Sequence, residues 1–229
     1  MSNTLVLAFD IERSGGRAEH ETIGIGASVV DSDFKELEYI FLPGYFPKTH
    51  LTPTVFEQRC WNEFWSKQGE TLNILEYKGP LGKTERQREM IEHFQQFRAN
   101  WEKYAVENKC TLELVADNNV YDGGFLNELI CQHTSGLPIP YTASRPQKYK
   151  SFWETHSEQR GLLMGVDPSF KNNWGLGKRI NELYDVPEMR KNHDHNPAND
   201  AYTIAFEQQV LLGIRDGRIQ LRDDPSDWR

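Results

Sequence analysis

The distribution of apolar and polar positions predicts an alternation of strands and helices. Residues 4–10, TLVLAFD, are β-prone and carry too few polar positions for an exposed strand, which places them in the middle of a sheet. A turn rich in Gly and charge, Arg13 to Glu21, leads to TIGIGASVVD (22–31) and ELEYIFLP (36–43). The short DSDF connection makes these two an antiparallel hairpin. Residues 44–83 break the pattern. Prolines and glycines bracket a stretch rich in aromatics (Tyr45, Phe46, Phe56, Trp61, Phe64, Trp65), expected to be an insertion with one short helix around 54–67. A long helix then runs from Thr84, as N-cap, to about Glu107, with Met90, Ile91, Phe94, Phe97, Trp101, Tyr104 and Ala105 at helical spacing. LELVAD (112–117) is a fourth strand, followed by a helix from about Asp122 to His133 with Phe125, Leu126, Leu129 and Ile130 inward. A Pro-rich stretch, Leu137 to Pro146, precedes a short fifth strand near 149–153, and helices follow at about 174–184 and 197–214. This order fits an α/β fold: a mixed five-stranded sheet covered on both faces.

Composition narrows the class. The 229 residues suffice for a hydrophobic core without disulfide or metal staples. No apolar run is long enough to span a membrane, and Leu5 to Phe9 lacks the basic lead-in of a signal peptide. Three cysteines at unrelated spacings suggest neither a disulfide framework nor a zinc site, and an intracellular, reducing compartment is expected. The net charge of −8 argues against a broad nonspecific nucleic-acid coat. It does not exclude an enzyme acting on nucleic acid, because a carboxylate-rich metal site is itself acidic. Residues 142–191 run against the trend, with nine Lys/Arg against six Asp/Glu, and offer either phosphate contacts or an ordinary solvated surface.

The acids fall in a pattern. Asp10 and Glu12 end the first strand two residues apart, so both carboxylates point the same way. Asp122 ends the fourth strand where a helix begins, and Asp200 sits in the first turn of the last helix with His195 five residues earlier. With strands one and four adjacent, these groups converge beyond the strand ends, where open α/β sheets bind ligands. Adjacent buried carboxylates are costly, and a divalent cation is the usual compensation.

Three ordered motifs carry a resemblance. Asp10-Ile11-Glu12-Arg13-Ser14-Gly15, Asn119-Val120-Tyr121-Asp122 and His195-Asn196-Pro197-Ala198-Asn199-Asp200 are similar to the three motifs of the DEDDh-type 3′–5′ exonucleases, DnaQ-like members of the ribonuclease H-like superfamily. The resemblance covers residues 1–43 and 84–214. It implies one exonuclease domain over 1–214, interrupted by the 44–83 insertion and followed by a tail at 215–229. It further implies two Mg²⁺ or Mn²⁺ ions held by Asp10, Glu12, Asp122 and Asp200, with His195 as general base. Ile11, Arg13, Ser14, Asn119 and Tyr121 would meet the substrate, the 3′ end of single-stranded DNA or RNA. Arg13 stands where that family often has Thr, and Asn118 where it often has His.

Other readings stay beside this one. A catalytically silent nucleic-acid-binding module, or a proofreading companion of a polymerase, would keep the same fold. Asp117 lacks the aromatic lead of the second motif and is assigned a structural role at the strand end. His193-Asp194-His195 has the form of a His-x-His metal pair, with no Cys or third His nearby in sequence. Trp61, Phe64 and Trp65 suit core packing better than a base-stacking platform. Gly175-Leu176-Gly177-Lys178 lacks the spacing and preceding strand of a Walker A loop.

Overall fold

A computed structural model describes residues 4–15, 20–44, 55–135, 148–166 and 175–222. The first apolar run forms β1 (Thr4–Arg13), extending three residues beyond the expected strand. It pairs antiparallel with β2 (Thr22–Val30) and parallel with β4 (Thr111–Ala116). The predicted hairpin brings β3 (Glu36–Pro43) antiparallel to β2, and β5 (Lys148–Ser151) lies parallel to β4. The order is β3-β2-β1-β4-β5, so β1 is central and has β4 as its neighbour.

Alternation along β1 divides the core in two. Leu5, Leu7, Phe9 and Ile11 face α3 (Lys83–Glu107) and α4 (Gly124–His133). Val6 and Ala8 face the opposite layer, made of α5 (Phe152–Val166), α6 (Leu176–Leu183) and α7 (Pro197–Arg215). Helices therefore cover both faces of the mixed sheet, as the sequence predicts. Buried Gln209 ties α7 to the sheet by donating to the carbonyls of Thr4 (2.8 Å) and Val30 (2.9 Å). No described helix is long and apolar enough to cross a membrane.

Several elements differ from expectation. The long helix begins at Lys83, with Gly82 at its N-cap and no side-chain cap, so Thr84 does not serve. Tyr104 is 43% exposed, because the buried stripe runs through Trp101 and Ala105 and leaves Tyr104 packed on the edge of Trp101. Where one short helix is expected around 54–67, the chain forms α1 (Val55–Glu63), a 3₁₀ turn (Trp65–Lys67) and α2 (Gly69–Leu75). Helix α5 was not anticipated. Past α7 the chain doubles back, with Tyr184 bridged to Leu221 and Ile219 buried. The Pro-rich stretch 137–146 lies outside the described residues.

Candidate active site

The alternation that builds the core also places the acids. Positions 6 and 8 of β1 face α7, and Asp10 and Glu12 continue that series past the last apolar residue. Opposite them on β2 stand Gly26, paired with Asp10, and Gly24, paired with Glu12. A Cβ at Gly26 would lie 2.0 Å from the Pro197 backbone, and one at Gly24 would lie 2.5 Å from Leu75. Glycine here lets the first turn of α7 sit directly on the sheet beside the two carboxylates. That turn is capped by Asn196, whose side chain accepts from Ala198 N at 3.1 Å, with Pro197 at the first helical positions. Asp200 is thereby carried to the end of β1.

One ligand oxygen from each of Asp10, Glu12 and Asp200 lies within 4.8 Å of the others. Asp10 and Asp200 are buried, and the Oδ2 atom of each makes no hydrogen bond. Asp200 Oδ1 accepts from Asp194 N at 2.9 Å. Asp122 approaches from the π-helical turn Asn119–Gly123 between β4 and α4, where its Oδ2 accepts from Asn118 N at 2.7 Å. It stands outside the tight trio but close enough to repel Asp10.

Burial and mutual repulsion hold these carboxyls above their usual range. Asp10 is raised well above it, first by burial and then by Glu12, Asp122 and Asp200. Burial raises Asp122 and Asp200 each to about 7. Glu12 is also raised by burial, and the nearby imidazole of His195 opposes the shift. The guanidinium of Arg13, the next residue along β1, lies 3.4 Å over the Phe125 ring. Carboxylate oxygens without hydrogen bonds on converging acids, all hard donors, fit a divalent cation that prefers oxygen ligands.

His195 occupies a left-handed backbone conformation (φ 62°), which is rare for a residue with a side chain. Its Nδ1 lies 3.7 Å from Glu12 Oε1, and this partnership raises its basicity. Its ring meets Phe64 edge-on, with centroids 4.6 Å apart. His193 Nδ1 lies 3.3 Å from Asp200 Oδ2, while partial desolvation of its exposed ring and the neighbouring His195 lower its basicity.

The other anticipated residues are placed differently. Ile11 is buried in the core on the α3–α4 face. Ser14 Oγ accepts from Glu21 N at 3.0 Å and closes the base of the loop after β1. Tyr121 donates through its hydroxyl to Gly15 O at 3.3 Å, joining that loop to the β4–α4 turn. Burial pushes its phenol up to about 12. The side chain of Asn119 lies outside the described residues. Trp65 is core, 2% exposed, and its Nε1 donates to Arg13 O at 2.9 Å.

The sequence reading missed Thr71 and His156, and gave Phe64 and Asp117 packing and strand-end roles apart from the chemistry. Phe64 and Thr71 bring the 64–75 segment onto the site, the latter by donating to Asp194 O at 3.1 Å. Asp117 is partly buried, and its charge repels both Asp10 and Asp122. Burial raises the Asp117 carboxyl, and His193 and then His156 on α5 oppose that shift. Helix α5 did have a sequence signal: Ser151 and Glu154 form a capping box, Ser151 N donating to Glu154 Oε2 at 2.5 Å and Glu154 N to Ser151 Oγ at 3.3 Å. The contacts of Phe64 and Thr71 have none, because they span over a hundred residues.

No protein-family model and no curated protein matches the sequence. Among solved structures, the chain is similar to the zinc-ion-bound form of the Escherichia coli ExoI–ssDNA complex. The TM-score is 0.52 at 13% identity, covering 94% of this chain and 41% of that one. The chain thus spans less than half the length of that protein, and the likeness is one of fold. The mixed five-stranded α/β sheet anticipated from the order of strands and helices is the one present.

Proposed function

We propose that the protein is a divalent-metal-dependent 3′–5′ exonuclease acting on single-stranded nucleic acid. The observation that carries this reading is the convergence of Asp10, Glu12 and Asp200, two of them with a buried oxygen that makes no hydrogen bond, at the end of the central strand. The similarity to the fold of an ssDNA-bound exonuclease adds support. Asp10, Glu12 and Asp200 would hold the metal, with Asp122 completing the set from the β4–α4 turn. Two Mg²⁺ or Mn²⁺ ions, when bound, would lower the pKa of the attacking water and offset charge on the leaving 3′ oxygen. His195 then takes up the proton of the attacking water. Glu12 engages its Nδ1 edge, which leaves Nε2 as the accepting atom. Phe64, packed on the imidazole, limits its rotation and keeps bulk water from that side. Ile11 and Arg13 lie at the end of β1, Ser14 directly after it, and Asn119 and Tyr121 in the β4–α4 turn. In this reading the backbone of Ile11 and the Tyr121 edge, rather than the buried side chains of Ile11 and Arg13, meet the terminal nucleotide.

The test is a time course on 5′-labelled single-stranded DNA and RNA oligonucleotides with Mg²⁺, Mn²⁺ or EDTA. A ladder shortening from the 3′ end only with metal is expected, and its rate on each sugar gives the preference. Intact substrate with both metals would overturn the reading.

A further inference from the structure

The His-x-His pair at 193–195 finds in the fold the third ligand that its sequence neighbourhood lacks. One donor atom from each of His193, His195 and Asp200 lies within 4.8 Å of the other two. Asp200 is 1% exposed, its Oδ1 is held by Asp194 N, and its Oδ2 is buried without a hydrogen bond, 3.3 Å from His193 Nδ1. The two imidazoles approach edge-to-face with centroids 5.0 Å apart. The His193 side chain is 59% exposed, so it can swing to close the site while leaving one position open to solvent.

We propose that His193, His195 and Asp200 form a second, transition-metal site, of the Zn²⁺ class, overlapping the carboxylate centre. Two imidazole nitrogens and one carboxylate form a borderline donor set. Zn²⁺ takes such a set readily at about 2.0–2.2 Å, with three protein ligands and an open fourth position. Mg²⁺, which demands oxygen ligands, has no use for it and is directed to Asp10, Glu12 and Asp200. The two sites share Asp200, and the zinc-type site also takes His195. An imidazole whose lone pair is bound to a metal accepts no proton. Occupation of this site therefore silences hydrolysis at the neighbouring one. That consequence rests on the hydrolytic reading above, whereas the site itself does not.

The test is calorimetric titration of the folded protein with Zn²⁺ in excess Mg²⁺, comparing the native chain with His193→Ala, His193→Gln and Asp10→Asn. One zinc equivalent is expected for the native chain, weakened at least about tenfold in both His193 variants and by less than about threefold in Asp10→Asn. Co²⁺ in place of Zn²⁺ should give intense visible absorption typical of four-coordination, lost in His193→Ala. Native-like zinc binding by the His193 variants would overturn the proposal. So would a loss confined to Asp10→Asn, which would put the zinc among the carboxylates, or no zinc binding in excess Mg²⁺. These readouts need no hydrolysis, so they stand apart from the oligonucleotide assay. If that assay succeeds, Zn²⁺ should inhibit, and His193→Ala should need at least about tenfold more of it.

Discussion

At the residue scale, the site stores an electrostatic cost that metal or protons relieve. The carboxyls of Asp122 and Asp200 are raised to about 7, so between about pH 4 and 7 the folded, metal-free chain binds more protons than the unfolded one. Stability therefore falls as pH rises through that window. Metal-free protein should melt higher at pH 5 than at pH 8, and saturating Mn²⁺ should remove most of the difference; equal melting temperatures without metal would contradict the assignment. Neutralising the most burdened acid has the same sign. Asp10→Asn should stabilise the metal-free protein at pH 8 by roughly 1–2 kcal/mol, a rise of about 3–6 °C by calorimetry, while eliminating hydrolysis. His195→Ala should lower turnover by about 10²–10⁴-fold with metal binding retained, measured by single-turnover kinetics beside a Mn²⁺ titration.

At the scale of elements, the site depends on how closely α7 approaches β2. Gly26→Ala would force a methyl into the Pro197 backbone, because a Cβ there meets it at 2.0 Å. The expected loss is about 2–3 kcal/mol in urea unfolding, with activity falling as Asp200 is displaced. Gly161 in α5 has nothing within 4 Å of its Cβ position, so Gly161→Ala should stabilise by about 0.5–1 kcal/mol. The same contrast explains what the sequence could disclose. Asp10 and Glu12 were legible because the period of a strand fixes which way they point. Asp200 was legible because Asn196 and Pro197 mark a helix start. Helix α5 escaped because its apolar positions follow no clear stripe, although its capping box was present. Thr84 misled because a good capping residue lay two positions past Gly82, where the chain actually enters the helix.

At the scale of the whole molecule, contacts distant in sequence complete what the motifs begin. The segment from Trp65 to Leu75 shares a small core with β2 through Ile23, Trp65, Leu72 and Leu75, and this puts Phe64 against His195 and Thr71 against Asp194. Nothing in the local pattern of residues 44–83 announces that docking, since core packing and base stacking demand the same aromatic residues. The carboxylate trio, by contrast, follows from the two-residue period of β1 and from the first turn of α7 lying against Gly26 of β2. If this trio performs metal-dependent cleavage at a 3′ end, the decisive readout is release of the 3′-terminal nucleotide at saturating Mn²⁺, comparing the native chain with Asp10→Asn once both are shown to be folded. The native chain should release nucleotides stepwise, EDTA should abolish that release, and Asp10→Asn should give none above background. Equal release by both proteins, or release that persists in EDTA, would contradict it.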